Sequence, residues 1–569
     1  MTVPGTFAAA LAVAVSERAR VRPGDPALIT LTYRGADCLP RPLTYGELHT
    51  AAGSLAAELR ACTDPGARVA ILCEHGPDYA IAFLACLYSA RVAVPLFPVT
   101  PHRNIDRLVA VVADAEPAVS LVSPGAEAGT RDSEAAAGRV LAVPVDPLPA
   151  EPVLDPVGDH PAYLQYTSGS TKSPAGVEIS HKNLTAALEQ LRAGLPPATV
   201  KPIVTWLPFF HDMGLVLALS LPLYTGVLAV TLPPAEFAKR PIRWLRACSD
   251  YRAGTTAGPN FGLALAVTAT TAEERAGLDL SELDLLINGA EPIRPESLAA
   301  FSKLFAPCGF RHDAHTPGYG LAEATLPVTF AAPESPPLVE EFDRGELAAG
   351  RAVPATIPTQ AVALVGCGTP AGQRVRIVDP LRHRVVTDGE VGEIWVAGPN
   401  VSAGYFRRPQ ASADVFGARL PGDDERWLRT GDLGFVHAGQ VFPAGRLKDM
   451  IIVDGRNHYP ADIEATAAGV SPEVRAGHIA AFGIDHGDHE TLVLVAELDD
   501  RLADPVTVAR RIRAAVTAAH DITPADVMLV PRGQIPKTSS GKLRRGECRA
   551  RYRAGAFTRL IQPPIQLSF

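Results

Sequence analysis

Residues 68–116 read RVAILCEHGPDYAIAFLACLYSARVAVPLFPVTPHRNIDRLVAVVADAE. RVAILC is apolar enough for a buried strand. GPDYAIAFLACLYSAR follows with Tyr79, Phe83 and Leu87 on one helical face. VAVPLF is a second strand, and PHRNIDRLVAVVADAE a second helix. This alternation predicts right-handed βαβ units and a parallel sheet. A connection rich in proline follows, with six prolines from Pro144 to Pro161. The α/β pattern then resumes to about residue 330, and AAPESPPL (331–338) breaks it again. From 361 to 445 the strands shorten, as in QRVRIVDP and GEIWVAG, with turns such as TDGE. That stretch predicts a β-rich subdomain. The last ~120 residues carry strand and helix signals of their own, enough for a small α+β unit.

The whole chain has 569 residues, enough at ~150 per domain for several units. Hydrophobic residues make up 47% and charged residues 20%, which excludes a disordered or fibrous chain. Net charge is −8, so the protein as a whole is no general nucleic-acid binder. Residues 501–560 are the exception, with 13 Lys/Arg against 4 Asp/Glu. Such a patch is either a solvated face or the seat of an anionic partner. The eight cysteines are scattered and form no C-x-x-C pair, which predicts a reducing, cytoplasmic setting. The N-terminal MTVPGTFAAALAVAVSERAR places its first basic residue after the apolar stretch, so it predicts an amphipathic helix and not a secretion signal. Met213 to Ala235 is free of charge but interrupted by Pro222, Gly226 and Pro233. It predicts a buried helix, a turn and a buried strand, with no membrane span.

Tyr163-Leu164-Gln165-Tyr166 is a short strand leading into Thr167-Ser168-Gly169-Ser170-Thr171-Lys172-Ser173. Ser180-His181-Lys182-Asn183 then opens a helix with good N-cap chemistry. A strand, a run of hydroxyls around one glycine, and a helix can cradle phosphate through backbone N–H groups. By itself the run reads more readily as a plain Ser/Thr-rich surface loop. It is no Walker loop, because the Gly541-Lys542 pair is followed by Leu543. Gly366-Cys367-Gly368-Thr369-Pro370-Ala371-Gly372 is no dinucleotide fingerprint either. Four further blocks accompany the run: Pro317-Gly318-Tyr319-Gly320-Leu321-Ala322-Glu323, Trp427-Leu428-Arg429-Thr430-Gly431-Asp432, Gly445-Arg446-Leu447-Lys448-Asp449, and Pro536-Lys537-Thr538-Ser539-Ser540-Gly541-Lys542. In order and spacing these blocks resemble the adenylate-forming ligases, across essentially the whole chain.

The resemblance implies an α/β adenylate-forming fold. Residues 1–446 would form a large domain with two α/β subdomains and one β-rich subdomain, and 447–569 a mobile α+β lid. It implies ATP and Mg²⁺ as cofactors. Thr167, Ser168, Gly169, Ser170 and Thr171 match the phosphate binders; Gly289, Ala290, Glu291 and Tyr319 match the adenine site. Asp432 and Arg446 match the ribose contacts, Glu323 the Mg²⁺ ligand, Lys448 the hinge and Lys542 the lysine that reaches in from the lid. The basic patch would then face ATP or an acidic carrier protein.

Three features resemble the fatty acyl-AMP ligase branch. The loop continues Lys172-Ser173-Pro174-Ala175-Gly176, with alanine where a phosphate-facing lysine is common. Leu207-Pro208-Phe209-Phe210-His211-Asp212-Met213-Gly214-Leu215 and Gly258-Pro259-Asn260-Phe261 resemble that branch's acyl-pocket segments. Residues 339–365 match an insertion of that branch, one associated with restricted lid rotation. His211 is then either beside the reacting carboxylate, a gate between acyl tunnel and ATP, or a packed histidine at a helix start. Phe210, Met213, Gly214, Asn260 and Phe261 are the candidate acyl pocket, with ordinary core packing the alternative for Phe210, Met213 and Phe261.

The resemblance implies activation of a fatty or related carboxylic acid to acyl-AMP and pyrophosphate. The acyl group would pass to the phosphopantetheine thiol of a separate acyl carrier protein, in polyketide, nonribosomal peptide or lipid biosynthesis. The alternatives are an acyl-CoA synthetase and a degenerate ATP-binding relative. Lys542, Glu323 and Asp432 together argue against the degenerate copy. A nucleic-acid partner is not expected.

Overall fold

The computed structural model describes residues 10–100, 105–148, 158–166, 174–196, 200–453, 456–485, 490–499, 504–538 and 542–561. Residues 68–116 form strands Arg68–Ile71 and Val92–Pro95 and helices Pro77–Tyr88 and Asp106–Ala115. They sit in a six-stranded sheet ordered Arg139–Ala142, Val119–Val122, Arg68–Ile71, Val92–Pro95, Pro161–Tyr166, Gly176–Ser180. All neighbours are parallel except the last pair. That pair adds a strand to the sequence reading of a strand, a hydroxyl-rich loop and a helix. Gly176–Ser180 returns antiparallel to Pro161–Tyr166, because Val177 and Ile179 alternate into the core. The helix His181–Gly194 begins only after it. Ser180 caps that helix through a reciprocal box with Asn183, as its N-terminal chemistry predicts.

A second sheet has nine strands. Leu285–Asn288, Thr255–Gly258, Ile203–Thr205 and Ala229–Thr231 form its parallel centre, and antiparallel pairs close both edges. The largest buried cluster joins the inner faces of both sheets through a shared helix layer that includes Leu55, Phe83, Leu188 and Leu217. The Met213–Thr225 part of the uncharged run belongs to that layer. Met213–Ser220 is wound in a π-helix, with the Leu221 N–H reaching back five residues to the Val216 carbonyl. Leu221–Thr225 continues it, Gly226 turns at φ +85°, and Ala229–Thr231 is a buried strand. The membrane-like composition therefore serves an interior position. No helix among the described residues is long and apolar enough to cross a membrane.

The β-rich part is a four-stranded antiparallel sheet of Arg374–Val378, Gly392–Ala397, Leu428–His437 and Gln440–Arg446. Residues 339–365 form their own hairpin, Val339–Asp343 against Ala361–Val365, with the short helix Arg344–Ala348 between. Beyond Arg446 a short turn leads to a three-stranded sheet of Val474–Asp485, Glu490–Leu498 and Asp526–Val530, packed with helices Pro460–Ala468, Pro505–His520 and Arg545–Arg553. This lid has an apolar core of its own around Ile463, Leu494 and Ile512.

Candidate active site

A cleft of about 2090 Å³ lies between the large domain and the lid. Its floor is the carboxyl end of the nine-stranded sheet, where open α/β sheets place their ligands. Strand Leu285–Asn288 ends there in Gly289-Ala290-Glu291. A side chain on Gly289 would put its Cβ 2.8 Å from the Gly318 carbonyl oxygen, so only glycine fits. Ala290 holds φ +69°, a strained value for a residue with a Cβ, as is common at ligand turns. The Glu291 carboxylate accepts the Phe261 N–H at 2.6 Å, and burial raises its pKa.

Tyr319 stands opposite this turn. Its hydroxyl donates to Asp432 Oδ2 at 2.8 Å. Arg446 Nε lies 3.0 Å from the other oxygen, Asp432 Oδ1. Asp432 and Arg446 face each other in register on adjacent strands, so the sheet itself fixes their pairing. Two carboxylate oxygens held side by side in a cleft suit a vicinal diol. Glu323 lies in the tight turn Ala322–Ala324, closed by Thr325 at φ +54°. Its carboxylate accepts the Tyr405 hydroxyl at 2.9 Å, and burial raises its pKa. Lys448 is also on the cleft wall, its pKa lowered by burial and by Arg446.

Lys542 enters from the lid. Its loop is closed by two backbone ties: the Thr538 N–H donates to the Lys542 carbonyl at 2.8 Å, and the Lys542 N–H donates to Thr538 Oγ1 at 3.0 Å. The ammonium is buried in the cleft, which lowers its pKa, and it lies in the fields of Asp212, Glu291 and Asp432. His211 and Asp212 open the π-wound helix at the cleft's edge. His211 Nδ1 is 2.6 Å from Asp212 Oδ1, which also accepts the Met213 N–H at 2.7 Å. Burial raises the Asp212 pKa, but His211 and Lys542 overcome it and hold the carboxyl well below its usual range. The preceding turn is tied down by Gln165 Nε2, which donates to the Phe210 carbonyl at 3.1 Å.

Of the acyl-pocket candidates, Met213, Asn260 and Phe261 line the cleft. Phe210 packs edge-on against Phe97 at 5.6 Å instead. Gly214 faces the Pro208 carbonyl, which a Cβ would meet at 2.0 Å. Thr167, Ser168, Gly169, Ser170 and Thr171 lie outside the described residues. Pro174 and Ala175 line the cleft beside that loop. Much of the basic patch is used within the lid: Arg545 forks onto Glu464 with two 2.7 Å bonds, and Arg559 pairs with Asp526 at 2.7 Å. Lys537, Lys542, Arg544 and Arg545 are the members that reach the cleft.

Two polar residues on the cleft escape sequence reasoning. Tyr405 is 82 positions from the Glu323 it holds, with no local motif to announce it. Asn288 is fully buried with neither carboxamide atom hydrogen-bonded, and its signal was adjacency to the Gly289 turn. The donor set also fits Mg²⁺. No group of three or more His, Cys, Asp or Glu that could hold a metal occurs among the described residues. A single carboxylate such as Glu323, completed by substrate phosphates and water, is how Mg²⁺ is usually held.

The AMP-binding enzyme family matches residues 15–406, and the AMP domain of Disco-interacting protein 2-like proteins matches 448–561. The chain is 39% identical to the long-chain-fatty-acid–AMP ligase FadD26 of Mycobacterium marinum, over 96% of this chain and 97% of that protein. It is 41% identical to a 4-hydroxyphenylalkanoate adenylyltransferase of the same species, over 92% and 88%. A solved structure from a study of fatty acyl-adenylate ligases of E. coli and L. pneumophila superposes with a TM-score of 0.84 at 31% identity, covering 97% and 99%. The matched family spans most of the chain, and its relatives extend through the lid that carries Lys542: this protein belongs to the AMP-binding enzyme family and is an adenylate-forming ligase of the fatty-acid–AMP ligase type.

Proposed function

We propose that the protein joins a fatty or related apolar acid to AMP and passes the acyl group to the phosphopantetheine thiol of a separate, acidic carrier protein. The observation that carries this reading is Lys542, buried in one cleft with Glu323 and the Tyr319–Asp432–Arg446 cluster, beside an apolar wall. All eight cysteines are free, which fits a reducing cytoplasm.

The acid's carboxylate attacks the α-phosphorus of ATP and pyrophosphate leaves. Two anions must meet, and negative charge builds on the phosphoryl oxygens. Lys542 supplies a positive charge positioned within the cleft, where it can offset that build-up. Tyr319 and Arg446 hold the Asp432 carboxylate ready for the ribose hydroxyls, so little reorganisation is left for binding. Glu291 and the Gly289 turn shape the adenine side. His211, oriented by Asp212, meets the acid's carboxylate in this reading. Mg²⁺, held by Glu323, would neutralise phosphate charge.

The acceptor is the open point, since relatives of 38% identity carry the name putative fatty-acid–CoA ligase. The test is product mass from the full chain with Mg-ATP and a series of fatty acids, alone, with CoA, and with a phosphopantetheinylated carrier. Acyl-AMP alone and acyl-carrier with carrier present are expected. Abundant acyl-CoA would replace the carrier reading with a CoA synthetase. No adenylate with any acid would sink both.

A further inference from the structure

One wall of the cleft is apolar. Met213 and Leu217 lie one turn apart on the helix that begins immediately after His211 and Asp212. Leu191 and Leu195 face them from the end of helix His181–Gly194, and Leu326 and Phe330 from strand Leu326–Phe330. Beyond it the lining mixes apolar residues such as Phe261 and Ile293 with polar ones. There Asn260 Nδ2 donates to Ser297 Oγ at 3.1 Å, and Asn288 holds its unpartnered carboxamide. A hydrocarbon tail whose carboxylate meets His211 and Lys542 stays against apolar side chains by following the first wall.

That wall ends at a contact only glycine permits. Gly194 closes the helix, and a Cβ built there would lie 2.2 Å from Cζ of the Phe330 ring and 2.5 Å from its Cε2. The ring therefore lies directly on the helix backbone. Any side chain at 194 must displace it, and the same ring lines the cleft.

We propose that Phe330, seated on Gly194, is the end wall of the acyl site and sets the chain length accepted. The inference rests on the fatty-acid reading above. Removing the ring opens space for further methylenes. Adding a methyl at 194 pushes the ring into the path of the chain. A methylene that no longer fits a formed pocket changes discrimination by about tenfold or more.

The test is acyl-AMP formation by the full chain with straight-chain acids from octanoate to stearate, for wild type, Phe330→Ala and Gly194→Ala. Phe330→Ala is expected to move the optimum to longer acids and Gly194→Ala to shorter ones. The ratio of kcat/KM between long and short acids should shift by about tenfold in opposite directions. A general loss of stability would lower all rates and leave that ratio unmoved. If Gly194→Ala does not fold, the shift in Phe330→Ala decides alone. An unchanged optimum in the folded variants overturns the wall but leaves the fatty-acid reading standing. No acyl-AMP from the wild type with any of these acids overturns both.

Discussion

Lys542 holds a positive charge against the cost of burial. Burial lowers its pKa, and Asp212 and Glu291 restore only part of it. The charged form is the useful one, so activity is present at neutral pH and is lost as pH rises through a value below that of a free lysine. Lys542→Ala is expected to slow adenylation by about 10²–10³, comparable to losing one preorganised donor at a charged transition state. It should also abolish the alkaline limb of the pH–rate profile, measured by pyrophosphate release. Lys542→Arg should not rescue it, because a planar guanidinium cannot occupy the space of a compact ammonium. A variant that keeps the wild-type alkaline limb would assign that limb to another group.

At the scale of the element, the hairpin at 339–365 is bonded directly to the lid. Arg344, at its tip helix, forks onto Asp462 of the lid, with Nε to Oδ2 at 2.7 Å and Nη2 to Oδ1 at 3.3 Å. Its Nη1 donates to the Ala519 carbonyl at 3.4 Å, near the carboxyl end of helix Pro505–His520, where a cation is favoured. Tyr459 adds a bond from its hydroxyl to the Leu347 carbonyl at 3.4 Å. A rotation of the lid away from the hairpin would have to break this group. Both partners of the ion pair are mostly shielded from water, at 18% and 15% exposure, so it outweighs a surface salt bridge. Arg344→Ala and Asp462→Asn are expected to retain acyl-AMP formation and to gain acyl-CoA formation when CoA is supplied, read by product mass. Acyl-CoA levels unchanged from wild type would show that the fork does not govern the acceptor.

At the scale of the molecule, the surroundings of His75, His181, His315 and His520 strongly favour the neutral imidazole. Burial lowers His75 to about 3, and His181, His315 and His520 to about 4 each. In the unfolded chain the same residues take up protons near pH 6.5. Below that value the unfolded state binds more protons, so the stability these residues allow is present above about pH 6.5 and is lost as pH falls toward 4. Each contributes up to about 1.4 kcal/mol per pH unit in that window. His520 belongs to the lid and the other three to the large domain, so both parts should weaken together. Denaturant midpoints are expected to fall steeply between about pH 6.5 and 4.5 and to be flat just above that range. Flat midpoints throughout would mean that these side chains are protonated in the native state.

What the sequence by itself determined was whatever depends on neighbours in the chain. The strands and helices of 68–116 follow from apolar periodicity, and the start of helix His181–Gly194 from the Ser180–Asn183 box, whose partners are three residues apart. The uncharged Met213 to Ala235 was legible as helix, turn and strand because Pro222 and Gly226 punctuate it. The extra strand Gly176–Ser180 was missed because five residues of alternating pattern beside a loop carry too little signal. Most of the candidate site was legible as motif blocks. Their company was not, because Tyr319 meets Asp432 across 113 positions and Arg344 meets Asp462 across 118. Only the tertiary structure decided that Phe210 packs on Phe97 while Met213 faces the cleft, and that Gly194 admits the Phe330 ring. Periodicity reports which residues are apolar, whereas the choice between core and pocket depends on which other elements close over them.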